Sequence, residues 1–358
     1  MFAHMARADG FSGLENAKAS AVYDCLKEEF IYENNSHEPL AVASTTKIMT
    51  CLLTLEQENI DEEFTVSSEA IRTEGSSMGL LDGDKVTLRT LALGMMLPSG
   101  NDAANAAAVK IAGSKEKFVL RMNERARELG MENTSFSTPS GLDEGGNCST
   151  AHDMALLAAE ALKNEDFRKT ASLKTCRAGV GERYLYLKNH NKLLFRNDSV
   201  TGVKTGFTKK AGRCLVSSAS LKGREFIIVT LNMGDDFNIH EIAYKKIESA
   251  LSEISLSALF KGETVAVAGE NNRISLMLKD TGRMALFEDE LSELKTYNRV
   301  PKFLYAPVCV GDGVGDFAVS IGKKEILALP LYAANGVELK ESRNIFEKVR
   351  DSLKDFLK

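Results

Sequence analysis

Three short polar signatures follow one another along the chain: Ser44-Thr45-Thr46-Lys47, Ser99-Gly100-Asn101 and Lys204-Thr205-Gly206. Together they supply a hydroxyl with an amine one helical turn away, a second hydroxyl beside an amide, and a cation next to a hydroxyl and a glycine. Those are the groups needed for acyl transfer through a covalent serine ester. To act together, the helix start that carries Ser44 and Lys47 must meet the lysine-bearing strand edge across a shared cleft. That requirement limits the fold more than any other feature of the sequence.

A single Ser-x-x-Lys carries little weight, because the spacing recurs at Ser114/Lys117, Ser292/Lys295 and Ser320/Lys323, where a solvated helix face or turn accounts for it. The copy at Ser44 differs in its setting. Ile48, Met49, Cys51, Leu52 and Leu55 follow at helical spacing with no Gly or Pro between, which predicts a helix with a buried body and Ser44 in its first turn. At such a terminus, free N–H groups and the helix dipole favour an oxyanion, and residue i+3 lies over the same face.

With 358 residues the chain is too long for one ordinary core and fits two domains, and its 44% apolar and 27% charged content is that of a globular protein. A net charge of −5 offers no basic face for a phosphate backbone, so nucleic acid is excluded as an expected partner. The six cysteines, Cys25, Cys51, Cys148, Cys176, Cys214 and Cys309, include no C-x-x-C pair. Cys51 and Cys214 lie in apolar segments and read as small buried hydrophobes. The five histidines, His4, His37, His152, His190 and His240, show no paired spacing, so neither a catalytic metal nor another cofactor is expected. No run of 18 or more apolar residues is present, and Met1 to Gly10 lacks the apolar core of a signal peptide. Either the protein is cytoplasmic or an export signal has been removed.

Along the chain, Ala19–Tyr23 and Phe30–Tyr32 read as a hairpin, and the stretch from Ser44 to about Thr170 reads as mainly helical. Helices are expected after Thr87, from Asp102 to Ala112, after Ser114 as far as Gly130, and from Ala151 to Lys163 after Thr150. Then the period changes. Arg183–Leu187, Gly202–Phe207, Cys214–Ser218 and Phe226–Asn232 are β-type runs, and His240–Leu251 returns to helix. Strands at both ends of a helical insert imply an α+β arrangement: an antiparallel sheet flanked by helices, an all-helical subdomain beside it, and the active site in the groove between them. From about Ser257, short strands such as Thr264–Ala268, Ile274–Leu278, Asp316–Ile321 and Glu325–Pro330 suggest a small all-β sandwich. Ile345, Phe346, Val349, Leu353, Phe356 and Leu357 then fall at helical spacing amid lysine and arginine, an amphipathic helix able to pack on its own domain or lie on an anionic membrane. The expected division is thus 1–256, 257–340 and 341–358.

The sequence resembles the low-molecular-weight penicillin-binding D-alanyl-D-alanine carboxypeptidases, which share a fold with serine β-lactamases. The similarity runs through Ala43 to Thr50, Gly75-Ser76-Ser77-Met78, Ser99 to Ala104, Met122-Asn123, Leu129-Gly130-Met131, Ser149-Thr150-Ala151 with Asp153-Met154-Ala155, and Gly202 to Thr208. Ala306-Pro307-Val308 through Leu329-Pro330-Leu331 is similar to the family's accessory β-domain. The resemblance implies that Ser44 forms the acyl-enzyme, that Lys47 accepts its proton and that Ser99 relays a proton to the leaving amine. Asn101 would hold the substrate backbone and Lys47. Lys204 and Thr205 would take a terminal carboxylate, Gly206 would let a peptide lie along the strand edge, and the N–H groups of Ser44 and Phe207 would form the oxyanion hole. The implied reaction removes the last D-Ala from peptidoglycan pentapeptide stems at the outer face of the cytoplasmic membrane. β-Lactam antibiotics would acylate Ser44.

Two positions depart from the family pattern. Asp236-Phe237-Asn238-Ile239-His240 lacks the arginine that helps many relatives bind the carboxylate, and Phe207 stands where some carry His. The competing readings are a serine β-lactamase, for which Glu182 is the one carboxylate in a loosely suitable place, a DD-endopeptidase, and a silent cell-wall-binding protein.

Overall fold

The computed structural model describes residues 11–142, 146–268, 272–279 and 282–339. Its contacts divide the chain into two units, Met1–Leu251 and Ser252–Lys358. Ser252–Ser255 pairs with Arg283–Leu286, so the division falls a few residues ahead of the boundary expected at 256.

The first unit is built on five strands: β1 (Ala19–Asp24), β2 (Glu29–Asn34), β3 (Val200–Thr208), β4 (Gly212–Leu221) and β5 (Arg224–Leu231). They lie in the order β2-β1-β5-β4-β3, and every pairing is antiparallel. β1 is buried at all six positions, as a strand covered on both faces must be. The helices between β2 and β3 include α1 (Lys47–Leu55), α2 (Leu88–Met96), α3 (Asn101–Ala112), α4 (Lys115–Glu128), α5 (Ala151–Ala161) and α6 (Glu165–Ser172), with α7 (Asp236–Ala250) after β5. Thr87, Ser114 and Thr150 each accept a hydrogen bond from the backbone N–H three residues on, caps of the kind that contribute about 1 kcal/mol apiece.

One apolar core joins the helical part to the sheet: Ile48, Met49 and Leu52 of α1 pool with Leu91, Met95, Phe118 and Met122, and with Val216 and Val229. Helix α1 is therefore held from both sides. A β-hairpin, Thr175–Val180 with Arg183–Lys188, lies between α6 and β3. Its first strand escapes sequence reading because Arg177 and Gly179 break the β pattern.

The second unit is β-rich. A six-stranded sheet runs in the order Leu294–Arg299, Gly313–Ile321, Lys324–Ala333, Arg273–Leu278, Thr264–Ala268, Phe303–Tyr305, with one parallel pair at the last edge. Its own core gathers Val265, Ile274, Leu276, Phe317, Val319 and Leu331. Short helices at Leu256–Leu259 and Glu288–Glu293 interrupt it, where sequence reading expects strands alone. The amphipathic segment 341–358 lies outside the described residues. Among those described, no helix is long and apolar enough to cross a membrane.

Candidate active site

Ser44 sits in a 3₁₀ turn, Ala43–Thr46, and α1 proper begins at Lys47. This refines the expectation of an α-helical first turn. A 3₁₀ turn has about three residues per turn and eclipses side chains i and i+3, which sets the Lys47 amine over the Ser44 hydroxyl. Lys47 Nζ lies 2.9 Å from Ser44 Oγ. Ala43 enters the turn with φ of 49°, and Ser99 holds 64°, strained values for non-glycine residues that concentrate at functional sites. From Val42 to Thr50, Ser44 alone keeps partial solvent access.

The Lys47 side chain is fully buried, and its nitrogen also donates to Asn101 Oδ1 at 2.7 Å and to the Ser140 carbonyl at 2.6 Å. Both are oxygens that can only accept. A neutral amine would spend its two N–H bonds on them and turn its lone pair to the Ser44 hydroxyl. Burial above all, and then the charge of Lys204, pull the Lys47 amine well below its ordinary range, against an opposing pull from Asp102.

Asn101 is fixed in turn by donation from its Nδ2 to the Glu74 carbonyl at 2.7 Å and from its N–H to the Ser76 carbonyl at 2.7 Å. Next to it the buried Asp102 carboxylate accepts from the N–H groups of Met78, Gly79 and Leu80 and from Ser77 Oγ. The Ser99 turn is thus tied to segment 76–80. Two anchors are missed by sequence reading. Asp102 looks like an ordinary acidic residue at a helix start, and the Ser140 contribution is a main-chain oxygen. The Pro139-Ser140-Gly141 turn was the available signal: Gly141 has φ of 80°, and a Cβ there would lie 2.0 Å from the Ala43 carbonyl oxygen.

Across the cleft, β3 is an edge strand of the sheet. Lys204 and Gly206 are two apart and share a face. A Cβ on Gly206 would meet Val42 O at 3.0 Å and Ser44 N at 3.1 Å, so the Ser44 turn lies directly on the glycine and Lys204 points to the same side. Lys204 is buried, and burial lowers its amine to about 7. Its Nζ donates to the Thr205 carbonyl at 2.9 Å.

A cavity of about 970 Å³ opens here, lined among others by Ser44, Ser99, Thr205, Gly206 and Phe207. The three signatures therefore converge in one cleft: Ser44, Lys47 and Asn101 by direct hydrogen bonds, Ser99, Thr205, Gly206 and Phe207 as its walls, and Lys204 buried behind them, near enough for its charge to act on Lys47. Arg213, on β4 opposite Phe207, also lines the cavity and is missed by sequence reading. Its Nη2 donates to Asp236 Oδ1 at 2.5 Å and its guanidinium lies 5.1 Å from the Phe237 ring. The segment that lacks an arginine instead holds one arriving from β4. Glu182 sits exposed between the two hairpin strands and is not among the residues that line the cavity. Away from the cleft, Glu33, His37 and His152, which no sequence spacing links, bring possible ligand atoms together.

Residues 13–235 match the S11 peptidase family, described as D-alanyl-D-alanine carboxypeptidase. The chain belongs to that family. It is 32% identical over 331 residues to the D-alanyl-D-alanine carboxypeptidase DacF of Bacillus subtilis (strain 168), covering 88% of this chain and 85% of that protein. DacC of Escherichia coli (strain K12) is 33% identical over 342 residues, covering 90% and 84%. Among solved structures, DacD of Francisella tularensis superposes with a TM-score of 0.64 at 28% identity, covering 91% of this chain and 94% of that one. The Streptomyces K15 DD-transpeptidase superposes at 0.60 and 32% identity, covering 65% and 96%. As an S11 member the chain is a serine-type peptidase and thus a hydrolase, with the antiparallel sheet and flanking helices of its structural neighbours.

Proposed function

We propose that this peptidase removes the terminal D-Ala from peptidoglycan stem peptides through a Ser44 acyl-enzyme, and that β-lactams acylate the same hydroxyl. The observation that carries the reading is the buried Lys47 amine, bound to two acceptor-only oxygens with its third contact to Ser44 Oγ. Ser44 Oγ attacks the carbonyl carbon of the penultimate residue as its proton passes to Lys47 Nζ. The oxyanion that forms is met by the N–H groups of Ser44 and Phe207, donors typically worth about 3 kcal/mol each. Ser99 relays the proton gained by Lys47 to the departing D-Ala nitrogen, and water then cleaves the ester to return free Ser44 and the shortened peptide.

Lys204, Thr205 and the Arg213 guanidinium give the cavity its affinity for a carboxylate, and the free edge of β3 accepts the peptide as an added strand. The exposed rings of Tyr186, Phe195 and Phe207, all on the cavity wall, suit the aliphatic part of the stem. A β-lactamase reading lacks support: Glu182 lies away from the cavity, and among the described residues no glutamate lines it to activate water for deacylation. We place the enzyme outside the cytoplasm, where this substrate lies, with segment 341–358 as a membrane contact. Release of D-Ala from a diacyl-D-Ala-D-Ala peptide, measured beside penicillin hydrolysis, tests the proposal. Rapid peptide cleavage with a long-lived penicillin adduct is expected, and fast penicillin turnover without peptide cleavage would overturn it.

A further inference from the structure

Glu33 stands near the end of β2, the strand at the sheet edge opposite β3. His37 follows in the turn after β2, and His152 lies in the first turn of α5. Their sequence separation hides them, yet the fold brings their ligand atoms within 4.8 Å of one another. Glu33 Oε1 is 3.1 Å from His152 Nδ1 and 3.7 Å from His37 Nε2. Bonds of ~2.0–2.2 Å from carboxylate oxygen and imidazole nitrogen to one tetrahedral ion place ligand atoms ~3.3–3.5 Å apart, so these separations bracket what such an ion needs.

The three groups are also held in place. Ser36 Oγ donates to Glu33 Oε1 at 2.7 Å, the kind of outer hydrogen bond that orients a ligating carboxylate. The His152 N–H donates to the Ser36 carbonyl at 3.0 Å, and its ring stacks on Phe30 with centroids 4.1 Å apart. Leu40 and Ser149 exchange backbone hydrogen bonds beside them, so the β2 turn and the α5 start form one platform. Among the described residues no lysine or arginine pairs with Glu33. Lys18, the nearby cation, pairs with Glu38. His37 and Glu33 are exposed, which leaves room for water to complete the ion's shell.

We propose that Glu33, His37 and His152 form a binding site for one divalent transition-metal ion of the zinc type. Two imidazoles and one carboxylate suit zinc, nickel or copper and disfavour magnesium and calcium, which prefer all-oxygen shells. The ion acts as a clip. It fastens the loop that runs from β2 to the nucleophile turn onto the start of α5, and it takes no part in the acyl transfer. Because the unfolded chain does not hold the three ligands together, the ion binds the native state and raises its stability.

Calorimetric titration of the full chain with zinc chloride near neutral pH, with magnesium chloride as control, tests the site. One zinc per chain, no magnesium uptake, and a rise in melting temperature that EDTA reverses are the expected results. His37→Gln and Glu33→Gln should each weaken zinc binding at least ~10-fold, the loss that removing even a ligand's outer partner can produce. Acylation by a fluorescent penicillin should be unchanged in both, which shows that they are folded. Absence of zinc binding to the wild type would overturn the proposal. So would undiminished binding in the His37→Gln/His152→Gln double variant, which would move the ion to the free cysteines or elsewhere.

Discussion

The two units of the chain bury different things. The first encloses the amines of Lys47 and Lys204, the Asp102 carboxylate and the Asn101 amide around one cleft, whereas the second, among its described residues, buries only Glu290 and Ser320 of its polar side chains. An unpaired buried charge is expensive, and a lysine escapes that expense by giving up its proton. The first unit accepts the expense where it needs a neutral base, and the second, which has no such cluster among its described residues, spends its interior on packing. Chemistry and scaffold are separated by what each unit takes out of water.

Substitutions can break or sharpen that contrast. The largest effect is expected for Ser44→Ala, which should abolish the mass gain after penicillin and lower D-Ala release by ~10⁴-fold or more; a persisting adduct would place the nucleophile elsewhere. Lys47→Gln keeps a polar side chain but no base, and acylation measured by stopped-flow should fall ~10²–10⁴-fold with the fold intact by circular dichroism. Gly206→Ala puts a methyl group against Val42 O and Ser44 N. It should reduce acylation by ~10²-fold, as small misplacements of reacting groups do, while costing about 1–3 kcal/mol of stability by overpacking.

The pH dependence is subtler. Acylation needs unprotonated Lys47, so its rate should rise with pH through the lowered value of that amine and then level off. Lys204→Met removes the second cause of that lowering, so Lys47 should keep its proton longer and the rising limb should move to higher pH. An unmoved limb would mean that the two amines are not coupled. Stability carries a related signature. The unfolded Lys204 amine binds a proton up to ~10.4 and the folded one only up to about 7. The penalty of burying it is therefore complete below about 7 and fades as pH rises toward ~10.4. The smallest effect on chemistry is expected from Phe317→Ala, a fully buried ring that meets Phe260 edge to face. It should cost the second unit about 3–5 kcal/mol by calorimetry and leave acylation unchanged. Loss of acylation would join the two units functionally and blur the contrast.

Sequence reading went far in the first unit, because its helices announce themselves through caps such as Thr87, Ser114 and Thr150, and because the reacting groups are side chains in short motifs. It fell short where the contribution is main-chain or depends on tertiary approach. The Ser140 carbonyl, the N–H groups gathered by Asp102 and the arrival of Arg213 from β4 belong to no local pattern. The Glu33, His37 and His152 cluster is invisible for the same reason. In the second unit the short strand Phe303–Tyr305 and the charged Leu294–Arg299 offer too few apolar positions to declare a period, and only pairing partners make them strands.

The first requirement of the proposed chemistry is an uncharged Lys47 beside Ser44. Its most direct test is the titration of that amine, followed by ¹³Cε and ¹⁵N NMR of lysine-labelled protein with Lys47→Gln used to assign the signal. Lys47 should titrate well below the ordinary ~10.4 of a free lysine and be largely neutral where acylation reaches its plateau. An amine that keeps its proton up to the ordinary range while acylation proceeds at full rate would contradict it.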